Sequence, residues 1–218
     1  MTHEFKTPLS TIKIAADVFL KNPLIKEDQR LRNYAQIIKE QNQRLNSQVE
    51  RVLNIAKLEQ NNFNLKKEQL PLKTVLLPII ENERLRAHSR GGQIQYDFPP
   101  EDFNINADRF HFSNVIYNLI DNSLKYCKEA PNIKIELHKQ NKSLLLSIID
   151  NGIGISKEHL NSVFEKFYRI PTGNVHNVKG FGIGLYYVKK ICEEHGWSVK
   201  LNSKEGTFTQ FDIQIPHQ

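Results

Sequence analysis

The sequence predicts an α+β protein in two parts: an antiparallel helical hairpin, then one mixed sheet with helices on one face. Three observations carry that reading. Residues 9–59 lack glycine and repeat apolar residues at helical spacing. Beyond residue 70, helical patterns alternate with strand-like pairs. Between them, "KLEQNNFNLKKEQLPL" marks a change of composition and puts a boundary near residues 60–70.

In the first part, Phe5, Leu9, Ile12, Ala16 and Phe19 step by 4, 3, 4 and 3. "LKNPLIKED" breaks that pattern at Pro23. Leu31, Tyr34, Ile38, Gln41, Leu45, Gln48, Val52 and Ile55 then form a heptad seam containing two glutamines. Two such helices joined by a short turn make a hairpin. One hairpin buries the seam only partly, so a homodimeric four-helix bundle is expected to complete it. Because the chain starts inside a helical pattern with no cap, it reads as a piece of something longer.

In the second part, "TVLLPIIENERLRAHSRG" reads as a helix that tolerates Pro78 near its first turn and ends at Gly91. "QIQYDF" alternates like a strand. "DRFHFSNVIYNLIDNSLKYC" is a long helix with Asp108 as N-cap. "NIKIELHKQNKSLLLSIIDNG" gives two strands around a polar turn. "SKEHLNSVFEKF" reads as a short helix opened by Ser156, and "GIGLYYVKKICEEHG" as a helix after a loop. "WSVKLNSKEGTFTQFDIQI" closes the chain as a hairpin.

Composition narrows the function. With 25% charged and 39% hydrophobic residues the chain is an ordinary globular one. Cys127 and Cys192 are too few for a disulfide framework and lack metal-ligand spacing. They read as core residues in a reducing compartment. The net charge of +6 is spread among 24 acids without a basic block, which argues against a nucleic-acid partner. No apolar run reaches 18 residues and no signal peptide is visible, so no direct membrane contact is expected of these residues.

Three motifs carry chemistry. In "DNGIGI" a strand ends at Asp150, an acceptor suited to a purine amine, and Gly152 and Gly154 let a ligand approach the backbone. In "KGFGIGL", Gly180, Gly182 and Gly184 run into a helix start, where amides favour phosphate. The spacing fits neither a dinucleotide fingerprint nor a P-loop. In "NLIDNSLKY", Asn118, Asn122, Lys125 and Tyr126 share one helix face, with Val115, Ile116, Leu119, Ile120 and Leu124 buried behind it. An Asn carbonyl suits Mg²⁺, and a lysine suits phosphate.

Together these motifs resemble a sensor histidine kinase of a two-component system. "THEFKTPL" resembles its phosphoacceptor box, "NLIDNSLKY" the N box and "DNGIGI" the G1 box. "VFEKFYRI" resembles the F box, "KGFGIGL" the G2 box and "EGTF" the G3 box, all in the family's order. The resemblance implies a dimerisation and phosphotransfer hairpin over residues 1–62, truncated at its start. Residues 68–218 would be an ATP-binding α/β sandwich of the histidine kinase, gyrase and heat-shock-ninety type. It implies ATP and Mg²⁺ as cofactors and a response regulator receiver domain as partner. The portion would be cytoplasmic, with the parent protein anchored in the bacterial cytoplasmic membrane.

Carried over residue by residue, the resemblance makes His3 the phosphoacceptor and Glu4 the acid that assists it. Asn122 would hold Mg²⁺, with Asn118 near the phosphates. Lys125 and Arg169 would contact phosphate and Tyr126 would lie by the nucleotide. Asp150 would accept from the adenine amine, with Gly152 and Gly154 shaping that pocket. Lys179, Gly180, Gly182, Gly184 and Leu185 would belong to the lid and helix start over ATP, with Phe164 and Phe167 anchoring the lid's other side. Thr207 and Phe208 would back the pocket. Glu4 and Thr7 match a Glu-x-x-Thr pattern that implies a regulator phosphatase activity, with Thr7 orienting water. The chain departs from the common pattern at Lys179, where Gly is usual, at Phe181, where Ser or Thr is usual, and at Phe5-Lys6, where Leu-Arg is common.

The heptad agrees with this assignment. With Phe5 and Ile12 at a and Leu9 and Ala16 at d, His3 falls at f, directed away from the hairpin core. Pro8 lacks the N–H that would bond to Glu4, which loosens the turn carrying His3. Two rival readings stay open: an ATP-gated machine without a phosphoacceptor, and a dimeric scaffold or degenerate kinase acting mainly as a phosphatase.

Overall fold

The computed structural model describes residues 2–58, 64–127, 129–170 and 182–217. The side chains of residues 2–6, 24, 26, 43–44, 46–48 and 50–58 fall outside that description. The chain divides into two compact units, Met1–Phe63 and Asn64–Gln218.

The first unit is helical: α1 spans Thr2–Lys21, α2 Pro23–Glu27 and α3 Gln29–Leu58. Pro23 opens the short α2, as its fixed φ and missing N–H allow. The Asp28 carboxylate then caps α3, accepting from the amides of Arg30 at 2.8 Å and Leu31 at 3.2 Å. Leu9 and Ala16 are buried, as the d positions require. Facing them on α3 are Ala35 and Asn42, not the predicted seam. Asn42 is 6% exposed and its Nδ2 donates to the Leu9 carbonyl at 3.0 Å. Ile12, Phe19, Leu31, Tyr34, Ile38 and Leu45 are all exposed, and so is Gln41. Within one hairpin the seam is thus only partly buried: Leu9 and Ala16 of α1 lie inside, while the described seam residues of α3 are exposed. Small residues let α1 and α3 approach closely, and the bulky apolar stripe is left on the outside. Gln48, Val52 and Ile55 lie outside the described side chains.

The second unit is a sheet covered by helices. Its strands are β1 (Glu68–Pro71), β2 (Gln93–Asp97), β3 (Asn104–Ala107), β4 (Asn132–Gln140), β5 (Ser143–Asp150), β6 (Ser198–Lys204) and β7 (Phe208–Pro216). Its helices are α4 (Leu72–His88), α5 (Arg109–Lys125) and α6 (Gly184–His195). Five strands pair in the order β2-β4-β5-β7-β6. The β2–β4 pair is parallel and the other pairs are antiparallel, which makes the mixed sheet that was expected. The separate β1–β3 pair was not foreseen, because "EQLP" and "NINA" are short and polar.

Inward side chains of the sheet meet an apolar stripe on α5. Ile133 and Ile135 of β4, Leu146 and Ile148 of β5, Ile213 of β7 and Phe112, Ile116, Leu119 and Ile120 of α5 are each at most 1% exposed, and β5 packs against α5. Truncating one of these to Ala typically costs about 3 kcal/mol. Two details differ from the sequence reading. Pro78 lies in the second turn of α4, and that helix ends at His88, with Gly91 beyond it at φ 71°. "SKEHLNSVFEKF" forms two 3-10 turns, Lys157–His159 and Ser162–Phe164, and no α-helix.

The ends of α5 and α6 are locked to each other. The Asp108 carboxylate caps α5, accepting from the amides of His111 at 3.0 Å and Lys66 at 2.8 Å. The Asp108 amide donates to His195 Nε2 at 3.0 Å, and His195 Nδ1 donates to the Ile191 carbonyl at 2.8 Å. These two bonds fix His195 as one neutral tautomer. Gly196 ends α6 with φ 76°, the left-handed turn that glycine takes without cost.

Candidate functional site

The site forms where β5, the C-terminal half of α5 and the first turn of α6 converge. Asp150 ends β5 and is 5% exposed. Ser123 Oγ donates to its Oδ2 at 2.6 Å, and the Gly152 amide donates to Oδ1 at 2.9 Å. Thr209 pairs opposite Asp150 in the sheet and its backbone also donates to the carboxyl. Burial nonetheless pushes the Asp150 carboxyl above the ordinary carboxylate value, because these bonds only partly offset desolvation. The result is a fixed, buried acceptor at the base of the site.

The loop after β5 wraps the end of α5. The Ile153 amide donates to the Tyr126 carbonyl at 2.9 Å. Gly154 takes φ 65°, and a Cβ there would lie 2.1 Å from the Lys204 carbonyl. Only glycine fits between this loop and the β6–β7 turn. The Gly206 amide donates to the Ile153 carbonyl at 2.7 Å, which ties that turn to the loop. Thr207 lies in the turn and is exposed, Phe208 begins β7, and the residue opposite Asp150 is Thr209, two positions beyond Thr207.

Asn118, Asn122 and Lys125 lie part-exposed along α5, and Tyr126 caps its end. Asn118 Nδ2 donates to the Asn114 carbonyl at 2.7 Å. Its Oδ1 faces Gly184, where a Cβ would stand only 3.0 Å away, so the start of α6 sits directly against this face. Leu185 follows in the first turn of α6, half-buried. Lys125 forms an ion pair with Asp121 one turn back. Burial lifts the Tyr126 phenol above its ordinary value, and the nearby Arg169 charge pulls it the other way.

Phe167 and Gly182 flank the segment between the F and G2 boxes. The Phe167 amide donates to the Gly182 carbonyl at 3.0 Å. Both adopt left-handed backbone, Phe167 with φ 66° and Gly182 with φ 68°. Phe164 packs edge-on against Phe211 at 6.4 Å. Lys179, Gly180 and Phe181 lie outside the described residues.

In the first unit, the backbone of His3, Glu4 and Thr7 lies in α1, which runs unbroken through Pro8. The side chains of His3 and Glu4 fall outside the description, while Thr7 is exposed.

Four residues at or beside the site escaped the sequence reading: Ser123, Thr209, Asp121 and Arg86. Ser123 had a signal. It is a polar residue in the buried stripe of α5, three and four positions after Ile120 and Leu119. The other three act through pairings across elements, which spacing does not reveal.

Comparison with known proteins agrees with this geometry. Residues 107–218 match the histidine kinase-, DNA gyrase B-, and HSP90-like ATPases. Residues 1–61 match the His Kinase A (phospho-acceptor) domain. The chain belongs to this ATPase family and carries the phospho-acceptor domain ahead of it, the domain pair of the sensor histidine kinases. Among its relatives is the sensor protein RprX of Bacteroides fragilis, 40% identical over 99% of this chain and 42% of that protein. Another is the sensor protein SrrB of Staphylococcus aureus, 29% identical over 99% of this chain and 37% of that one. The chain thus spans about two-fifths of the length of these relatives. Full-length ShkA, solved in complex with AMPPNP, shares the fold with a TM-score of 0.87 at 24% identity, over 99% of this chain and 44% of that one. The Acinetobacter baumannii histidine kinase AdeS aligns with a TM-score of 0.66 at 22% identity, over 99% and 98% of the two chains.

Proposed function

We propose that this chain is the catalytic portion of an ATP-dependent histidine autokinase that phosphorylates His3 and passes the phosphoryl group to an aspartate of a response regulator receiver domain. The observation that carries the reading is the Asp150 carboxylate. It is buried, held by Ser123 and the Gly152 amide, and placed at the base of a face bearing Asn118, Asn122 and Lys125. Adenine would donate its amine to Asp150, and the triphosphate would run along α5 toward the amides at the start of α6.

The residues fit Mg²⁺. Among the described residues no cluster of three His, Cys, Asp or Glu side chains stands ready to hold a metal. Mg²⁺ bound mainly through phosphate and water needs only a single hard oxygen, which Asn122 offers. When bound, the ion would neutralise charge on the β- and γ-phosphates. Lys125 and Arg169 would add positive charge, and the N-terminal amides of α6 would receive phosphate oxygens.

In the transfer, a neutral His3 ring nitrogen attacks the γ-phosphorus. The bond from that phosphorus to the bridging oxygen breaks, and ADP leaves with the electron pair. The proton on the other ring nitrogen passes to Glu4. A second transfer moves the phosphoryl group from His3 to the regulator's carboxylate. Thr7, exposed one turn from His3, would orient the water that later hydrolyses the aspartyl phosphate.

The exposed stripe of Ile12, Phe19, Leu31, Tyr34, Ile38 and Leu45 supports a homodimer, in which a second hairpin covers it. Among the described residues no helix is long and apolar enough to cross a membrane, so anchoring of the parent would come from other parts of it. Adding γ-labelled ATP to wild type and to Asn122→Ala tests the reading. Label on the wild type alone supports it, and equal label on both contradicts it.

A further inference from the structure

Lys125 enters the nucleotide face already paired. Its Nζ contacts Asp121 Oδ2, and the other oxygen of that carboxylate, Oδ1, accepts from Arg86 Nη2 on α4 at 3.0 Å. Arg86 Nη1 in turn donates to Glu83 Oε2 at 2.6 Å, and Glu83 is 3% exposed. The four charges alternate in sign: Glu83, Arg86, Asp121, Lys125. They form a line from the buried side of α4 to the N box. Burial would raise the Asp121 carboxyl, but the bonds and charges of Lys125 and Arg86 outweigh it and hold the group below the ordinary carboxylate value.

We infer that Arg86 is a positioning residue for the triphosphate, which frees Lys125 to leave Asp121 for phosphate. This rests on the reading of Lys125 as a phosphate contact. When Lys125 turns to an incoming phosphate, Asp121 loses one of its two partners. Asp121 is only 19% exposed by side chain, so a carboxylate stripped of both partners would be poorly solvated and would face the triphosphate with its own negative charge. Arg86 prevents that. It stays on Oδ1, anchored from behind by Glu83, and keeps Asp121 neutralised while Lys125 moves. Without Arg86, Asp121 would hold Lys125 as its only cation and compete with the ligand for it.

Neighbouring contacts give Arg86 a fixed base. Arg90, in the turn just beyond α4, donates to the Leu124 carbonyl and, at 3.0 Å, to the Cys127 carbonyl. Arg86 on α4 and Arg90 in the turn after it thus both grip the C-terminal end of α5, Arg86 through the Asp121 carboxylate and Arg90 through backbone carbonyls. No contact from Arg86 to the nucleotide is needed for its effect.

The test measures binding of Mg-ATP and of adenosine to the full chain by calorimetry, in wild type, Arg86→Gln, Asp121→Asn, Arg86→Gln/Asp121→Asn and Lys125→Met. Arg86→Gln should weaken ATP about tenfold, since one uncompensated charge then lies beside the triphosphate. It should leave adenosine, which has no phosphate, within about twofold, a change worth only a few tenths of a kcal/mol by the usual conversion. Asp121→Asn should bind ATP at least as well as wild type, and the double variant should recover wild-type affinity. A purely structural role for Arg86 predicts otherwise: adenosine would weaken with ATP, and removing a second charged group would not rescue. An unchanged ATP affinity in Arg86→Gln, parallel loss of adenosine, or failure of the double variant to recover overturns the inference. If Lys125→Met leaves ATP binding unchanged, the phosphate-contact reading falls and the inference with it. If Lys125→Met weakens ATP and Arg86→Gln does not, only the inference falls.

Discussion

Ser123 Oγ donates to Asp150 Oδ2 at 2.6 Å, joining the buried face of α5 to the end of β5. The bond leaves Oδ1 to the Gly152 amide and fixes the carboxylate plane. An acceptor held this way loses no rotamer freedom when adenine arrives.

Asp150→Asn replaces an acceptor by a group that also donates, and should weaken ATP binding by about a hundredfold. Ser123→Ala should cost about tenfold, because Asp150 keeps its backbone donors. The carboxyl of Asp150 titrates above 3.8, its ordinary value, because it is buried. Nucleotide affinity should therefore fall on acidification at a pH above that value, as the carboxylate takes a proton. Asp150→Asn should lack this step. Fluorescent-nucleotide titration across pH measures both.

Gly154→Ala puts a methyl 2.1 Å from the Lys204 carbonyl at a positive φ. The loop and the β6–β7 turn must separate, at a cost of about 3 kcal/mol or more. Urea denaturation of the variant should give a lower midpoint. An unchanged midpoint would mean that the loop relaxes freely.

How much of this was legible in the sequence follows from the kind of interaction. Asp108 was readable as a cap because capping is local, and the structure bonds it to the His111 amide. The buried stripe of α5 was readable from its period. The seam was read as only partly buried in one hairpin, but the sequence did not say which residues of α3 meet α1. Heptad spacing registers an apolar stripe and does not say which neighbour covers it, so Leu31 and Ile38 are exposed while Ala35 and Asn42 pack inside. Asp121 and Arg86 are 35 residues apart, and no local pattern links them. The short polar strands β1 and β3 failed for a related reason: their pairing comes from register with each other.

Ile38→Glu should convert a dimer of this chain to monomer without unfolding either unit. Ile38 is 44% exposed in the single chain, so a charge there costs the monomer little, whereas a dimer must bury it unpaired. Analytical ultracentrifugation reads the mass and circular dichroism reads the helix content. A variant that stays dimeric would place the dimer interface elsewhere.

His195 is buried as a neutral ring, and its titration lies below the ordinary 6.5 because burial disfavours the imidazolium. The sign follows from proton binding: in the acid range the unfolded chain takes up a proton that the folded chain refuses. The stability due to His195 should be fully present above pH 6.5 and should fall as pH drops through its lowered folded value. His111, also held below 6.5 by burial, adds to the same slope. His195→Gln should flatten the acid limb of stability against pH, followed by thermal denaturation. A slope identical to wild type would remove His195 from the account.

The central claim is that His3 receives the γ-phosphoryl group of ATP. The direct measurement is incubation of wild type and His3→Ala with γ-labelled ATP and Mg²⁺, followed by acid and base treatment of the labelled protein. The account predicts label on the wild type that is lost in acid and survives base, and no label on His3→Ala, although both bind ATP equally. Acid-stable label, or label of equal strength on His3→Ala, would contradict it.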